Sequence, residues 1–142
     1  MAAAAGELLL TVRAVYEAEL LSLRDALVAL AQRKATEEGL EMRFEYSDYF
    51  PETRNDPGCT DHVRAVAKRQ GRELVELKAP LRPSEDFGYY GKKCPATYFF
   101  IGNGVDYPAI HTTQYDFRDE NIRVGVEMFR GLAGMDQPQS AL

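Results

Sequence analysis

Two stretches of alternating apolar residues bracket a helical repeat, and this order constrains the fold more than any other feature of the chain. Leu8, Leu10 and Val12 alternate with Leu9, Thr11 and Arg13, the period-two pattern of a strand with one buried face. Leu20, Leu23, Leu27 and Leu30 then recur at helical spacing. That helix is expected to start near Glu17, where Tyr16 is a poor cap, and to stop at Gly39. Met42, Phe44 and Tyr46 alternate with Glu41, Arg43 and Glu45, which reads as a second amphipathic strand. Strand, long helix, strand, with one apolar stripe on each, is half of a ferredoxin-like unit.

Residues 48–57 (DYFPETRNDP) interrupt the pattern with two prolines and strong turn formers, so a domain boundary is placed there. Asn55 or Asp56 is expected to cap a helix with Pro57 at its first position. That helix turns Val63, Val66 and Ala67 inward and stops at Gly71. Residues 74–77 read as a short strand. Ser84 reads as the cap of another helix, with Glu85 and Asp86 in the first turn, where the dipole favours acids. Residues 97–101 read as a buried strand. A last helix opens at Asp116 or Asp119 and presents Ile122, Val126 and Phe129 as its apolar face. The tail from Asp136 reads as disordered. The expected fold is thus α/β (α+β), with a β-α-β half-unit over residues 6–50, an α/β portion over 51–135 and a disordered tail over 136–142.

Charge and cysteine usage exclude some classes of function. A net charge of -5 argues against nucleic acid, which demands a basic surface. The longest apolar run is too short to span a bilayer, and the start lacks the basic and apolar regions of a signal peptide. Cys59 and Cys94 fit no metal-ligand spacing and read as reduced thiols of a cytoplasmic protein.

The chain has only two histidines. His62 falls within a helix beside Asp61 and Arg64 and reads as a surface or boundary residue. His111 follows a strand and the Gly102-Asn103-Gly104 loop and precedes a helix with an acidic start. Loops that lead from strands into helices are where α/β enzymes place reacting groups, and imidazole is the commonest metal ligand. A loop histidine packed on Tyr115 explains the same residues equally well. Ser84, Glu85 and Asp86 read as a helix start or as carboxylates on the rim of a cleft. Gly102 and Gly104 serve a turn or let a ligand approach the backbone.

Taken in order, these pieces resemble the C-terminal signature of the aminoacylase/carboxypeptidase family of metallopeptidases, which includes hippurate hydrolases and N-acyl-amino-acid amidohydrolases. The resemblance rests on Ser84-Glu85-Asp86-Phe87-Gly88-Tyr89-Tyr90, on Pro95, on Tyr98-Phe99-Phe100-Ile101-Gly102, on His111 and on Tyr115-Asp116-Phe117-Arg118-Asp119-Glu120. Residues 6–13 are similar to a strand of the family's inserted lid domain, and Asn55-Asp56-Pro57 to the re-entry into its catalytic domain. The resemblance implies a partial ferredoxin-like lid over residues 6–50, commonly a dimerisation domain. It implies the C-terminal part of a mixed-sheet phosphorylase/hydrolase-like catalytic domain over residues 51–135. It also implies a dinuclear centre of zinc, manganese or cobalt that activates water against the amide of an N-acyl amino acid or peptide-like substrate. His111 matches a metal ligand of that family; Ser84, Glu85, Asp86, Gly102 and Gly104 would border the cleft. The family's other ligands and its catalytic glutamate have no match here, so no catalytic residue is assigned, and whether this chain holds metal is open.

Two function classes follow. The first is a C-terminal portion of a metal-dependent amidohydrolase, inactive as an isolated chain. The second is a non-catalytic interaction or dimerisation module that pairs through the half-lid. A free-standing α/β enzyme ranks last, since the chain has no nucleophile elbow and no P-loop.

Overall fold

A computed structural model describes residues 5–135 of the chain. The chain divides into two compact units: residues up to Glu52 together with Ala79–Gly88, and Thr53–Lys78 together with the residues from Tyr89 onward. The described residues contain four helices: α1 Glu17–Glu37, α2 Pro57–Arg69, the single turn α3 Gly88–Gly91, and α4 Glu120–Leu132.

In the first unit, α1 starts where the leucine repeat predicts. Tyr16 makes no side-chain cap. Instead the carboxylate of Glu52 accepts from the Glu17 N–H at 2.9 Å, supplying from distant sequence what the cap position lacks. The Tyr49 hydroxyl donates to the Glu17 carboxylate. At the other end Gly39 takes φ 65°. The Gly39 N–H then reaches Thr36 O at 3.2 Å and the Leu40 N–H reaches Ala35 O at 2.8 Å, a complete Schellman closure. Gly88 shows why a glycine stands in the Ser84-Glu85-Asp86-Phe87-Gly88 run. A Cβ there would lie 2.7 Å from the carbonyl oxygens of Pro51 and Glu52, closer than any side chain tolerates.

The second unit is built on α2 against α4. Asp56 caps α2, accepting from the Cys59 N–H at 2.9 Å, with Pro57 at the first helical position. Gly71 at φ 67° closes α2 by the same Schellman geometry, with Arg72 N–H on Ala67 O at 2.9 Å. Val63, Val66 and Ala67 of α2 meet Met128 of α4, and Phe99 and Leu132 pack on the cluster. Each large apolar side chain buried there stabilises by about 1.5–3 kcal/mol. Arg72 pairs with Glu127, and the Gln70 amide donates to Glu127 O at 2.7 Å, clamping the end of α2 to α4.

The expected sheets are not formed: the described residues contain four helices and no strand, which overturns both the β-α-β half-lid and the mixed sheet. Alternation shows which side chains share a face, but a strand exists only through a neighbour's backbone. Within residues 97–101 the backbone groups of Tyr98 are taken up by a side chain. The Asn55 side chain donates to Tyr98 O at 2.9 Å and accepts from Tyr98 N–H at 2.8 Å, doing both halves of a strand neighbour's work. The Asp56 N–H takes Ala96 O at 2.8 Å. Leu8, Leu9 and Leu10 are exposed rather than one-sided.

Helix α4 also packs differently from expectation: its predicted apolar face, Ile122, Val126 and Phe129, is exposed. Met128 and Gly131 are buried instead. The helix is apolar over a wider arc than α2 and Phe99 cover, and the repeat alone does not say which edge of that arc faces inward. Residues 136–142, expected as a disordered tail, lie outside the described residues.

Candidate functional site

The segment between Ile101 and α4 carries His111, the residue singled out in the sequence. It is a loop held by its own side chains. The Arg118 guanidinium lies over the Tyr107 ring, 4.4 Å from its centroid. Tyr107 meets Tyr115 edge to face at 5.9 Å, and its hydroxyl donates to the Asp116 carbonyl. The Asn121 amide donates to the Asn103 side-chain oxygen at 2.5 Å, tying the start of the loop to the first turn of α4. Thr112 Oγ1 donates to Ala109 O at 2.7 Å, and the Tyr115 N–H to Thr112 O at 3.2 Å.

His111 stands within this loop at φ 65°, one of two non-glycine residues in the left-handed region among the described residues. It is exposed. Its two candidate packing partners, Tyr107 and Tyr115, meet each other edge to face. Gly104 takes φ 93° and needs to be glycine; Gly102 has open space where a side chain would go.

Ser84, Glu85 and Asp86 fold in the first unit, and His111 in the second. Ser84 is not a helix cap. Its hydroxyl accepts from the Arg13 guanidinium at 2.5 Å, and residues 86 and 87 form a turn before the short α3. Glu85 is half-buried, while Ser84 and Asp86 are exposed.

A groove of about 480 Å³ lies elsewhere in the second unit, lined by Gly58, Cys59, His62, Phe99, Phe129 and Leu132 among others. His62 Nε2 lies 3.2 Å from Leu132 O. Burial, and then the hydrogen bond and negative charge of Asp56, raise the Cys59 thiol pKa above its ordinary value. A thiol so held is not the thiolate that nucleophilic chemistry needs. The groove therefore offers apolar surface rather than reactive groups.

The residues present do not by themselves fit a metal centre. No group of three or more His, Cys, Asp or Glu side chains converges among the described residues. A catalytic zinc takes about three protein ligands, and a two-metal site takes more.

Comparison with known proteins decides the family. The sequence profile of peptidase family M20/M25/M40 matches residues 6–134, almost the whole chain. The chain belongs to this family. Among relatives of the M20 chain, an N-acetyldiaminopimelate deacetylase of Shouchella clausii is 27% identical over 131 residues, covering 91% of this chain and 34% of that protein. The thermostable carboxypeptidase 1 of Saccharolobus solfataricus is 31% identical over 90 residues, covering 60% of this chain and 22% of that protein. An uncharacterised hydrolase of Staphylococcus epidermidis is 30% identical over 92 residues, or 61% of this chain and 24% of that protein. The M20 chain thus spans between a fifth and about a third of the curated relatives it matches. No solved structure matches it. No helix among the described residues is long and apolar enough to cross a membrane.

Arg118 and Asn103 stand in the motifs read from the sequence, but the Arg118–Tyr107 and Asn103–Asn121 contacts were not foreseen. Their signal was faint: a tyrosine and an arginine separated by ten intervening residues have no periodic meaning until the loop folds. The Gly102-Asn103-Gly104 run did mark the turn that brings Asn103 to α4.

Proposed function

We propose that this chain supplies the C-terminal part of a metal-dependent amidohydrolase that cleaves the amide of N-acyl amino acids or related peptide-like conjugates. The observation that carries the reading is the family match across residues 6–134; His111, exposed on its braced loop, is taken as a ligand from the resemblance of its surroundings to the family's signature. The names of the relatives, a deacetylase and a carboxypeptidase, support hydrolysis of an amide. In this reading His111 donates one imidazole nitrogen to a divalent metal such as zinc, manganese or cobalt. The backbone at Gly102 and Gly104, in the same unit as His111, borders the substrate. Further ligands and the base that takes the proton from water must come from polypeptide equivalent to the part of the relatives that this sequence does not span.

A chimera tests this directly. Residues 6–134 would replace the matched segment of the Shouchella clausii deacetylase, and release of acetate from N-acetyldiaminopimelate would be followed. Turnover in the chimera that falls at least a hundredfold on His111→Ala, and not on His62→Ala, is the expected outcome. A chimera that folds but turns over equally well without His111 contradicts the assignment.

A further inference from the structure

We infer that Arg118 is the positioning residue of the His111 loop, acting through Tyr107 to hold the backbone in the conformation that presents the imidazole to solvent. The inference rests on the reading of His111 as the site's residue, but its own evidence is geometric. A non-glycine residue at φ 65° lies in a sparsely populated region and persists only where its surroundings over-determine it. No hydrophobic cluster does that here, because His111 and its neighbours from Val105 to Gln114 are, apart from Tyr107, exposed. Thr112 Oγ1 on Ala109 O and the Tyr115 N–H on Thr112 O set the turn locally, and the brace ties that turn to α4. The Arg118 guanidinium sits 4.4 Å from the Tyr107 ring centre. Tyr107 and Tyr115 meet at 5.9 Å, so the ring under the guanidinium also touches the far limb of the loop. The Tyr107 hydroxyl reaches the Asp116 carbonyl and closes the loop across His111. A Cβ at Gly104 would lie 3.8 Å from Arg118 Nη1, so the guanidinium also lies close over the glycine turn that starts the loop. One side chain rooted next to α4 therefore lies beside the beginning of the loop and reaches its end through a tyrosine. His111 lies between the two.

Arginine suits this task better than lysine. Its flat guanidinium stacks over a ring while its edge remains free to donate, whereas an ammonium is a point charge.

Nuclear magnetic resonance of the intact chain tests the brace, with His62 as the internal control. In the unaltered chain His111 should give one sharp set of imidazole signals. Arg118→Ala should broaden or shift the His111 signals and leave those of His62, on α2, in place. Amide exchange across residues 105–116 should rise roughly two- to fivefold, the loss expected of one exposed cation–ring contact. Exchange within α2 and α4 should not change. Arg118→Lys should restore part of the His111 signal, and Tyr107→Phe, which keeps the ring but deletes the hydroxyl, should perturb the loop less than Arg118→Ala. The inference is overturned if Arg118→Ala leaves His111 unmoved, or if it disturbs both histidines and both helices alike, since that marks a general loss of structure. Failure here leaves the ligand assignment intact. A chimera indifferent to His111 would end that assignment and leave the brace standing.

Discussion

The purified chain, supplied with zinc, manganese or cobalt, should hydrolyse N-acyl amino acids no faster than buffer does. The expected loss relative to an intact family enzyme is the whole of the catalysed rate, commonly a factor of a million or more. Metal-assisted hydrolysis needs a cation held by several ligands, so that a bound water is ionised near neutral pH and the carbonyl is polarised in a fixed geometry. Among the described residues no three His, Cys, Asp or Glu side chains converge, and His111 is exposed on its loop. A single imidazole binds a metal weakly and leaves most of its coordination to water, which gives neither function. The check is release of free amino acid from a panel of N-acetyl and N-benzoyl amino acids with each metal added in turn. Metal-dependent turnover that disappears with His111→Ala would show that the chain assembles a site of its own.

The largest effect on stability should come from Val66→Asp. Val66 has no exposed surface and lies at the centre of the α2–α4 contact. A carboxylate there would be desolvated without a cationic partner, which costs several kcal/mol, and the valine's burial of about 1.5–3 kcal/mol is lost as well. Domains are stable by only about 5–15 kcal/mol, and among the described residues the buried cluster of this unit is Val63, Val66, Ala67 and Met128. The second unit should therefore lose cooperative unfolding, seen as a melt without a sigmoidal transition in circular dichroism. Val126→Asp is the matched control. Val126 is 53% exposed on the same pair of helices, so its replacement should change stability by no more than about 0.5 kcal/mol. Equal destabilisation by the two would mean that α4 packs through the other edge of its apolar arc.

Helix ends were legible because they are local chemistry. Gly39 and Gly71 stop α1 and α2 through left-handed backbone that few other residues adopt, and Asp56-Pro57 opens α2 with a cap and a pre-set φ. Val63, Val66 and Ala67 were legible as the inward face for the same reason, since α2 has one neighbour and one apolar stripe. The strands were not, because pairing is decided by what lies beside a segment. In residues 97–101 that neighbour is the amide of Asn55, and no period within the segment reports it. The wide apolar arc of α4 hid its orientation in the same way: Ile122, Val126 and Phe129 look like a core face until Met128 is seen to occupy it. At the candidate site, His111 was found by its place after a glycine loop and by family likeness. Its left-handed backbone and the Arg118–Tyr107 brace depend on a fold of the loop that spacing does not encode.

If His111 holds metal as proposed, removing its side chain must release metal from the assembled site. Metal content of the deacetylase chimera, measured by mass spectrometry after exhaustive dialysis against metal-free buffer, tests it most directly. The chimera and its His62→Ala variant should retain the same metal per chain, and His111→Ala should lose about one equivalent, in keeping with the weight of one ligand in a site of three or four. Full retention of metal by the folded His111→Ala chimera, or its loss on His62→Ala instead, would contradict the claim.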